Sequence, residues 1–148
     1  MDDTAVTCPF CAIVAGRAPA FRVAENELAL CILDINPLAE GHCLAITKRH
    51  VPWWHEMSVA ETAALYGLAQ LVARKLMETY RPDFICQYAR GRRIPHTHVF
   101  LVPSCAGDPL DRHFNALEGF QESACSLARL ASPAALQQAV ARLAVARG

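Results

Sequence analysis

The stretch Pro95-His96-Thr97-His98-Val99-Phe100-Leu101-Val102-Pro103 sets two histidines at alternate positions of a short apolar run bounded by prolines, and it predicts a strand from Ile94 to Val102. Side chains alternate faces along a strand, so His96, His98 and Phe100 fall on one face and Thr97 and Val99 on the other. Two imidazoles side by side offer a metal ligand next to a nucleophile or general base. The plainer alternative is a pair of partly exposed strand histidines.

Working outward, Ala89-Arg90-Gly91-Arg92-Arg93 is a tight basic turn and Asp83 to Tyr88 a second strand, which together predict a hairpin. Before it, Ser58-Val59-Ala60-Glu61 has the form of a capping box. Leu65, Leu68, Leu71, Val72 and Leu76 then recur at helical spacing until Arg81-Pro82, giving a long helix with one apolar stripe for a sheet. Further upstream, Ala20 to Ala24 and Leu28 to Asp34 read as two strands around the polar turn Glu25-Asn26-Glu27. His42 to Thr47 reads as a third strand after the Asn36-Pro37 loop, closed by Lys48-Arg49-His50. Asp34, at a strand end, has two readings: a bond to a ligand hydroxyl, or a cap for the turn. Downstream of Pro103 the pattern predicts a loop over Ser104 to Phe114, a short helix within Gly119 to Leu130, and a last helix opened by Ser132-Pro133.

The chain's 148 residues, 53% hydrophobic and 19% charged, predict a single domain that can bury an ordinary core. Fourteen basic residues balance fourteen acidic ones, so no bulk charge favours nucleic acid or an anionic membrane, and an anionic substrate must be held locally. No apolar run reaches the ~20 residues of a membrane span, and the acidic Met1-Asp2-Asp3-Thr4 start is unlike a signal peptide. A cytoplasmic location is expected.

Seven cysteines form an odd, scattered set, which fits reduced thiols and a metal site better than a disulfide framework. Cys31, Cys43 and Cys86 lie in apolar runs and read as small core residues. Cys8-Pro9-Phe10-Cys11 opens a short helix stopped by Gly16 and Pro19. This CxxC is either a redox dithiol or half of a zinc site; too little chain precedes it for the strand of a redox βαβ unit, which favours zinc if two further ligands exist downstream.

CPFCAIVAGRAPAFRV, LDINPLAEGH, ITKRHVP and PHTHVFLVP occur in an order and spacing that resembles the histidine triad (HIT) family, from about residue 8 to 103. The resemblance implies a HIT-like α+β fold, with a core at about 8–103 and a C-terminal extension at about 104–148, and usually a homodimer. It also implies a nucleotide substrate and a histidine that attacks phosphorus, as in nucleotidyl hydrolases and transferases. By the same resemblance Cys8, Cys11, His50 and His96 match the ligands of a structural zinc. His98 matches the nucleophile, Asp34 the residue that bonds the ribose hydroxyls, and Ile32 and Ile35 the walls around the base. His42 lies in the family's Gly-His motif without an assigned role.

Three positions depart from the family pattern. Phe100 stands where the third histidine would be and cannot donate a hydrogen bond. Gly91-Arg92-Arg93 replaces Gly-Gln-Ser/Thr, and the asparagine of the preceding strand is missing, with Cys86 and Gln87 in its vicinity. The sequence leaves three readings open: Arg92 and Arg93 take over charge stabilisation in a nucleotidyl enzyme, the zinc-braced scaffold serves another reaction, or it binds nucleotides without turnover.

Overall fold

The computed structural model describes residues 8–145. The chain divides into two compact units, the first ending at Asp108 and the second starting at Pro109.

The first unit is a five-stranded antiparallel sheet with one long helix. The chain runs through α1 (Pro9–Val14), β1 (Arg22–Glu25), β2 (Ala29–Leu33), β3 (Cys43–Thr47), α2 (Val59–Tyr80), β4 (Phe84–Tyr88) and β5 (His98–Ser104). The strands lie in the order β1-β2-β3-β5-β4, so the hairpin β4-β5 inserts β5 beside β3 and leaves β4 on the edge. The fold is α+β. Among the described residues no helix is long and apolar enough to cross a membrane.

β2 and β3 are apolar at nearly every position because both faces of the sheet are covered. Ala29, Cys31, Cys43, Ala45, Val99 and Leu101 pack beneath α2, against Leu65, Leu68, Val72 and Leu76. On the opposite face Leu30, Ile32, Leu44 and Ile46 pack against Cys8 and Phe10 of the N-terminal segment. Only the first face carries the long helix; the second is left for α1 and for a cleft. Leu71, included in the helical stripe by its spacing, is 62% exposed instead, since the stripe rotates away from it towards Val72.

Local chemistry fixes the ends of these elements. The hydroxyl of Ser58 accepts the Glu61 N–H at 3.2 Å, and Glu61 Oε2 accepts the Ser58 N–H at 2.8 Å, completing the capping box. Glu61 also takes both arms of Arg49, at 2.6 and 2.8 Å, which ties the start of α2 to the end of β3. At the other end of α2, Arg81 turns into the left-handed region at φ 50 and returns its N–H to Met77. Asn26 Oδ1 accepts the N–H groups of Leu28 and Ala29 in the β1-β2 turn.

Two expectations are corrected. The strand begins at His98, not Ile94. Pro95 has no N–H to give, His96 N–H closes a tight turn onto Ile94 O at 2.8 Å, and Thr97 spends its N–H and hydroxyl on Val51 O at 2.6 and 2.8 Å. The second unit is also more helical than expected, with α3 (Pro109–Ser123) beginning inside the predicted loop, then α4 (Cys125–Ala128) and α5 (Pro133–Leu143). Asp108-Pro109 is itself a helix-starting pair. α5 begins as read, with the Ser132 hydroxyl accepting the Ala135 N–H at 3.3 Å.

Candidate functional site

The segment before β5 brings three distant parts of the chain together. Thr97 grips Val51 and its carbonyl accepts the Thr47 N–H at 3.3 Å, which sets His96 beside His50 at the end of β3. α1 then lays Cys8 and Cys11 against both rings. Cys8 Sγ lies 3.4 Å from His96 Nδ1, and Cys11 Sγ lies 3.2 Å from His50 Nδ1 and 3.5 Å from His96 Nδ1. All four donor atoms fall within 4.8 Å of one another.

These separations suit a tetrahedral zinc, whose bond lengths of ~2.3 Å to sulfur and ~2.0 Å to nitrogen put neighbouring ligand atoms about 3.5 Å apart. The tautomer suits it too. His96 Nε2 is 2.8 Å from the Thr47 carbonyl, which can only accept, so Nε2 carries the proton and Nδ1 turns its lone pair to the thiols. His96 is 0% exposed, and burial is the main cause that holds its pKa down at about 4, so the ring stays neutral. Burial, with the Cys8 thiol beside it, pushes Cys11 up to about 11. A metal ion at the donors would supply the opposing charge that this part-buried thiol lacks. All seven cysteines are free thiols, with Cys31 and Cys43 fully buried and Cys86 half-buried.

On the same face of the sheet, α1, the β2-β3 loop and the β4-β5 turn enclose a cleft of about 570 Å³ lined by Ile32, Asp34, Ile35, His42, Tyr88, Arg93, His98 and Phe100 among others. It differs in kind from the groove of about 440 Å³ between α2 and β4, which no imidazole, thiol or carboxylate lines. Ile32 forms the buried floor and Ile35 is 82% exposed at the rim. Of the two arginines expected there, Arg93 lines the cleft and Arg92 is exposed without lining it.

His98 sits on β5 opposite Ile46 and is 7% exposed. Its Nδ1 lies 2.7 Å from the His96 carbonyl. That bond requires a proton on Nδ1 and leaves the lone pair on Nε2. Burial lowers the His98 pKa, opposed by that carbonyl and by the charge of Asp34, so the imidazole is neutral near pH 7. Phe10 closes the back of the ring edge-on at 5.2 Å, and also meets His96 at 5.6 Å, so one residue of the CxxC supports both histidines.

Tyr88 and Phe10 enter the site without having been singled out from the sequence, and His42, read there without a role, lines the cleft with them. Tyr88 stands opposite Phe100 in the β4-β5 pairing and stacks on it, with centroids 4.6 Å apart. The tight turn read from the sequence would set Tyr88 opposite Ile94; the longer connection over 89–97 sets it opposite Phe100 instead. His98 also lines a smaller recess of about 130 Å³ with Trp53, Trp54, His55 and Arg90, so the turn sends Arg93 to one side of the histidine and Arg90 to the other.

The HIT domain family model matches residues 15–106. Adenylylsulfatase HINT3 of Arabidopsis thaliana is 33% identical over 117 residues, covering 72% of this chain but only 59% of that protein, so the chain spans less than two-thirds of its length. Adenosine 5'-monophosphoramidase hnt1 of Schizosaccharomyces pombe is 32% identical over 99 residues, 66% of this chain and 74% of the relative. Among solved structures, a Zn-bound histidine triad family protein from Mycobacterium smegmatis aligns with a TM-score of 0.65 at 34% identity, covering 72% of this chain and 81% of that one. With the sheet, the cleft and the paired histidines in place, these matches show that the chain belongs to the histidine triad (HIT) domain family.

Proposed function

We propose that this protein is a nucleotide-binding phosphohydrolase or nucleotidyltransferase in which His98 attacks phosphorus. The observation that carries the reading is the bond from His98 Nδ1 to the His96 carbonyl, which presents a neutral Nε2 on the wall of a cleft that also holds Asp34. Ile32 and Ile35 would flank the base and Asp34 accept from the ribose hydroxyls. His98 Nε2 would form a bond to phosphorus as the bond to the leaving group breaks; water or another acceptor then takes the nucleotidyl group and restores the free imidazole. The named activities of the Arabidopsis and fission-yeast relatives support a phosphorus-centred reaction on an adenylyl compound.

Phe100 offers no donor to the phosphate oxygens, and Arg93 would supply the positive charge instead. The flat stack of Phe100 on Tyr88 favours a second reading, a cleft that binds nucleotides without turnover. Incubating the protein with adenosine phosphoramidate and with a dinucleoside polyphosphate, then seeking a nucleotide adduct on His98 by mass spectrometry, separates the two. Adduct or turnover supports the enzyme, binding alone supports the second reading, and neither leaves the scaffold to some other reaction.

Cys8, Cys11, His50 and His96 would hold a zinc ion. When bound, zinc supplies a tetrahedral brace, since four protein ligands fill its shell and leave no place for substrate. Its ligand His96 would then stay fixed while its carbonyl holds His98. Such thiols persist in a reducing compartment, in keeping with a cytoplasmic location. A homodimer is also part of this reading, through the edge strand β4 with its half-exposed Phe84. Light scattering tests it.

A further inference from the structure

The imidazole of His42, one residue before β3, serves neither the metal cluster nor His98. It is 3% exposed. Its Nδ1 accepts the backbone N–H of Leu38 at 3.1 Å, and an accepting nitrogen carries no proton, so the proton of the neutral ring is on Nε2. Burial outweighs the nearby carboxylate and keeps this ring in the neutral form. Nε2 is itself buried and has no hydrogen-bond partner. The carboxylate beside it is Asp34, with Oδ2 at 3.6 Å, just beyond bonding distance. A buried N–H left unmet is unfavourable, and this one lies on a cleft wall whose other nearby surface is Phe100, with ring centroids 5.7 Å apart.

Asp34 is half secured. Its Oδ1 accepts the Asn36 N–H at 2.7 Å, which anchors one oxygen to the turn, while Oδ2 faces His42. A carboxylate has about four acceptor positions, two on each oxygen. If Asn36 takes one on Oδ1 and His42 one on Oδ2, each oxygen keeps a single lone pair for the cleft. That is the pattern a cis-diol needs.

We propose that His42 is a positioning residue for Asp34: its Nε2–H closes onto Oδ2 and aims the carboxylate at the two hydroxyls of a ribose, so that the pair sets the preference for ribonucleotides. The inference rests on the nucleotide reading given above. Oδ2 has only to move in from 3.6 Å for the imidazole N–H to reach it, and a bound diol would hold it there.

The test measures binding, by titration calorimetry of the full chain with AMP, GMP and their 2',3'-dideoxy counterparts, for the natural protein and for H42N, H42Q and D34N. Asparagine keeps an acceptor near the Leu38 N–H but loses the distal donor, whereas glutamine can place an amide N–H near the position of Nε2. The natural protein binds the ribonucleotide more tightly. H42N weakens that binding about tenfold more than it weakens binding of the dideoxynucleotide, the scale of one buried hydrogen bond. H42Q recovers part of the loss, and D34N lacks discrimination whether or not His42 is present. Equal weakening of both nucleotide types by H42N, or no effect on either, overturns the proposal. Binding without discrimination in the natural protein overturns it together with the ribose role of Asp34, while no binding of any nucleotide removes the functional reading beneath it. A readout that needs no variant is the imidazole N–H proton resonance of His42, which shifts downfield with the ribonucleotide and stays in place with the dideoxynucleotide. A resonance unmoved by bound ribonucleotide also rejects the proposal.

Discussion

Phe100 lies flat against Tyr88, with ring centroids 4.6 Å apart and planes inclined by 14°, where the proposed reaction calls for a donor to a phosphate oxygen. Replacing the phenylalanine restores that donor at the expense of the stack. F100H is expected to raise single-turnover hydrolysis of an adenosine phosphoramidate by about tenfold or more, on the scale of one transition-state hydrogen bond. An unchanged or lower rate in a folded variant rejects the view that Phe100 is what limits turnover.

His98 carries the chemistry alone in the proposed mechanism. H98A should lower turnover by at least about 1,000-fold while changing nucleotide affinity little, because the imidazole acts on the reacting phosphorus and not on the base or ribose. Comparing kcat with the binding constant for AMP checks the split. Retention of a covalent nucleotide adduct by H98A would place the nucleophile elsewhere.

The Cys2His2 cluster predicts about one equivalent of zinc in protein purified without chelator. H50A and C11S should each lower that content and the midpoint of thermal unfolding, since Cys11 and His50 face each other at 3.2 Å. Elemental analysis and calorimetry on the same samples give both quantities. Less than half an equivalent in the natural protein counts against the site.

Glu61 gives an acid-stability prediction. The Arg49 guanidinium, followed by the Ser58 N–H, holds its carboxyl down at about 2 against an ordinary value of 4.5. A depressed folded-state pKa stabilises the fold above the unfolded value and loses that contribution as the pH falls through the folded one. Unfolding titrations should therefore show stability declining between pH 4.5 and about 2, with a shallower decline in E61Q. S58A, which removes the other half of the box, should cost about 1 kcal/mol at neutral pH.

Gly41 is held at φ 81, and a Cβ there would run into the ring of Tyr80. G41A is thus expected to destabilise the first unit by about 2 kcal/mol, through both the backbone and the contact. Urea unfolding measures it. Y80A in the G41A background should recover the steric share alone, leaving the cost of the left-handed backbone.

Much of the architecture was legible because local signals agreed with one another. Ser58 and Glu61 marked the start of α2, Arg81-Pro82 its end, and the apolar spacing its buried side. The CxxC and the two later histidines were legible as types, yet only the resemblance linked them, since residues 88 apart in the chain leave no trace of proximity in composition or periodicity. Leu71 went astray because helical spacing permits several neighbouring stripes and the sheet selects one. Ile94 to Thr97 went astray because Pro95 and the Val51 carbonyl divert a segment whose apolar character alone suggests a strand. Tyr88 was missed and His42 left without a role for a tertiary reason: the first depends on hairpin register and the second on an N–H whose lack of a partner exists only in the folded chain.

Cys8 and His96, 3.4 Å apart in space, are separated by 88 positions in sequence. On a ribosome the amino-terminal thiols emerge long before the imidazole they meet, so α1 must wait while the sheet and α2 are synthesised. The helix has only six residues, too few to persist alone in water. Its docking needs the sheet on which Phe10 packs, since only those contacts repay closure of the long loop. A chain stalled before residue 96 would hold its CxxC without the imidazole that faces it in the finished fold.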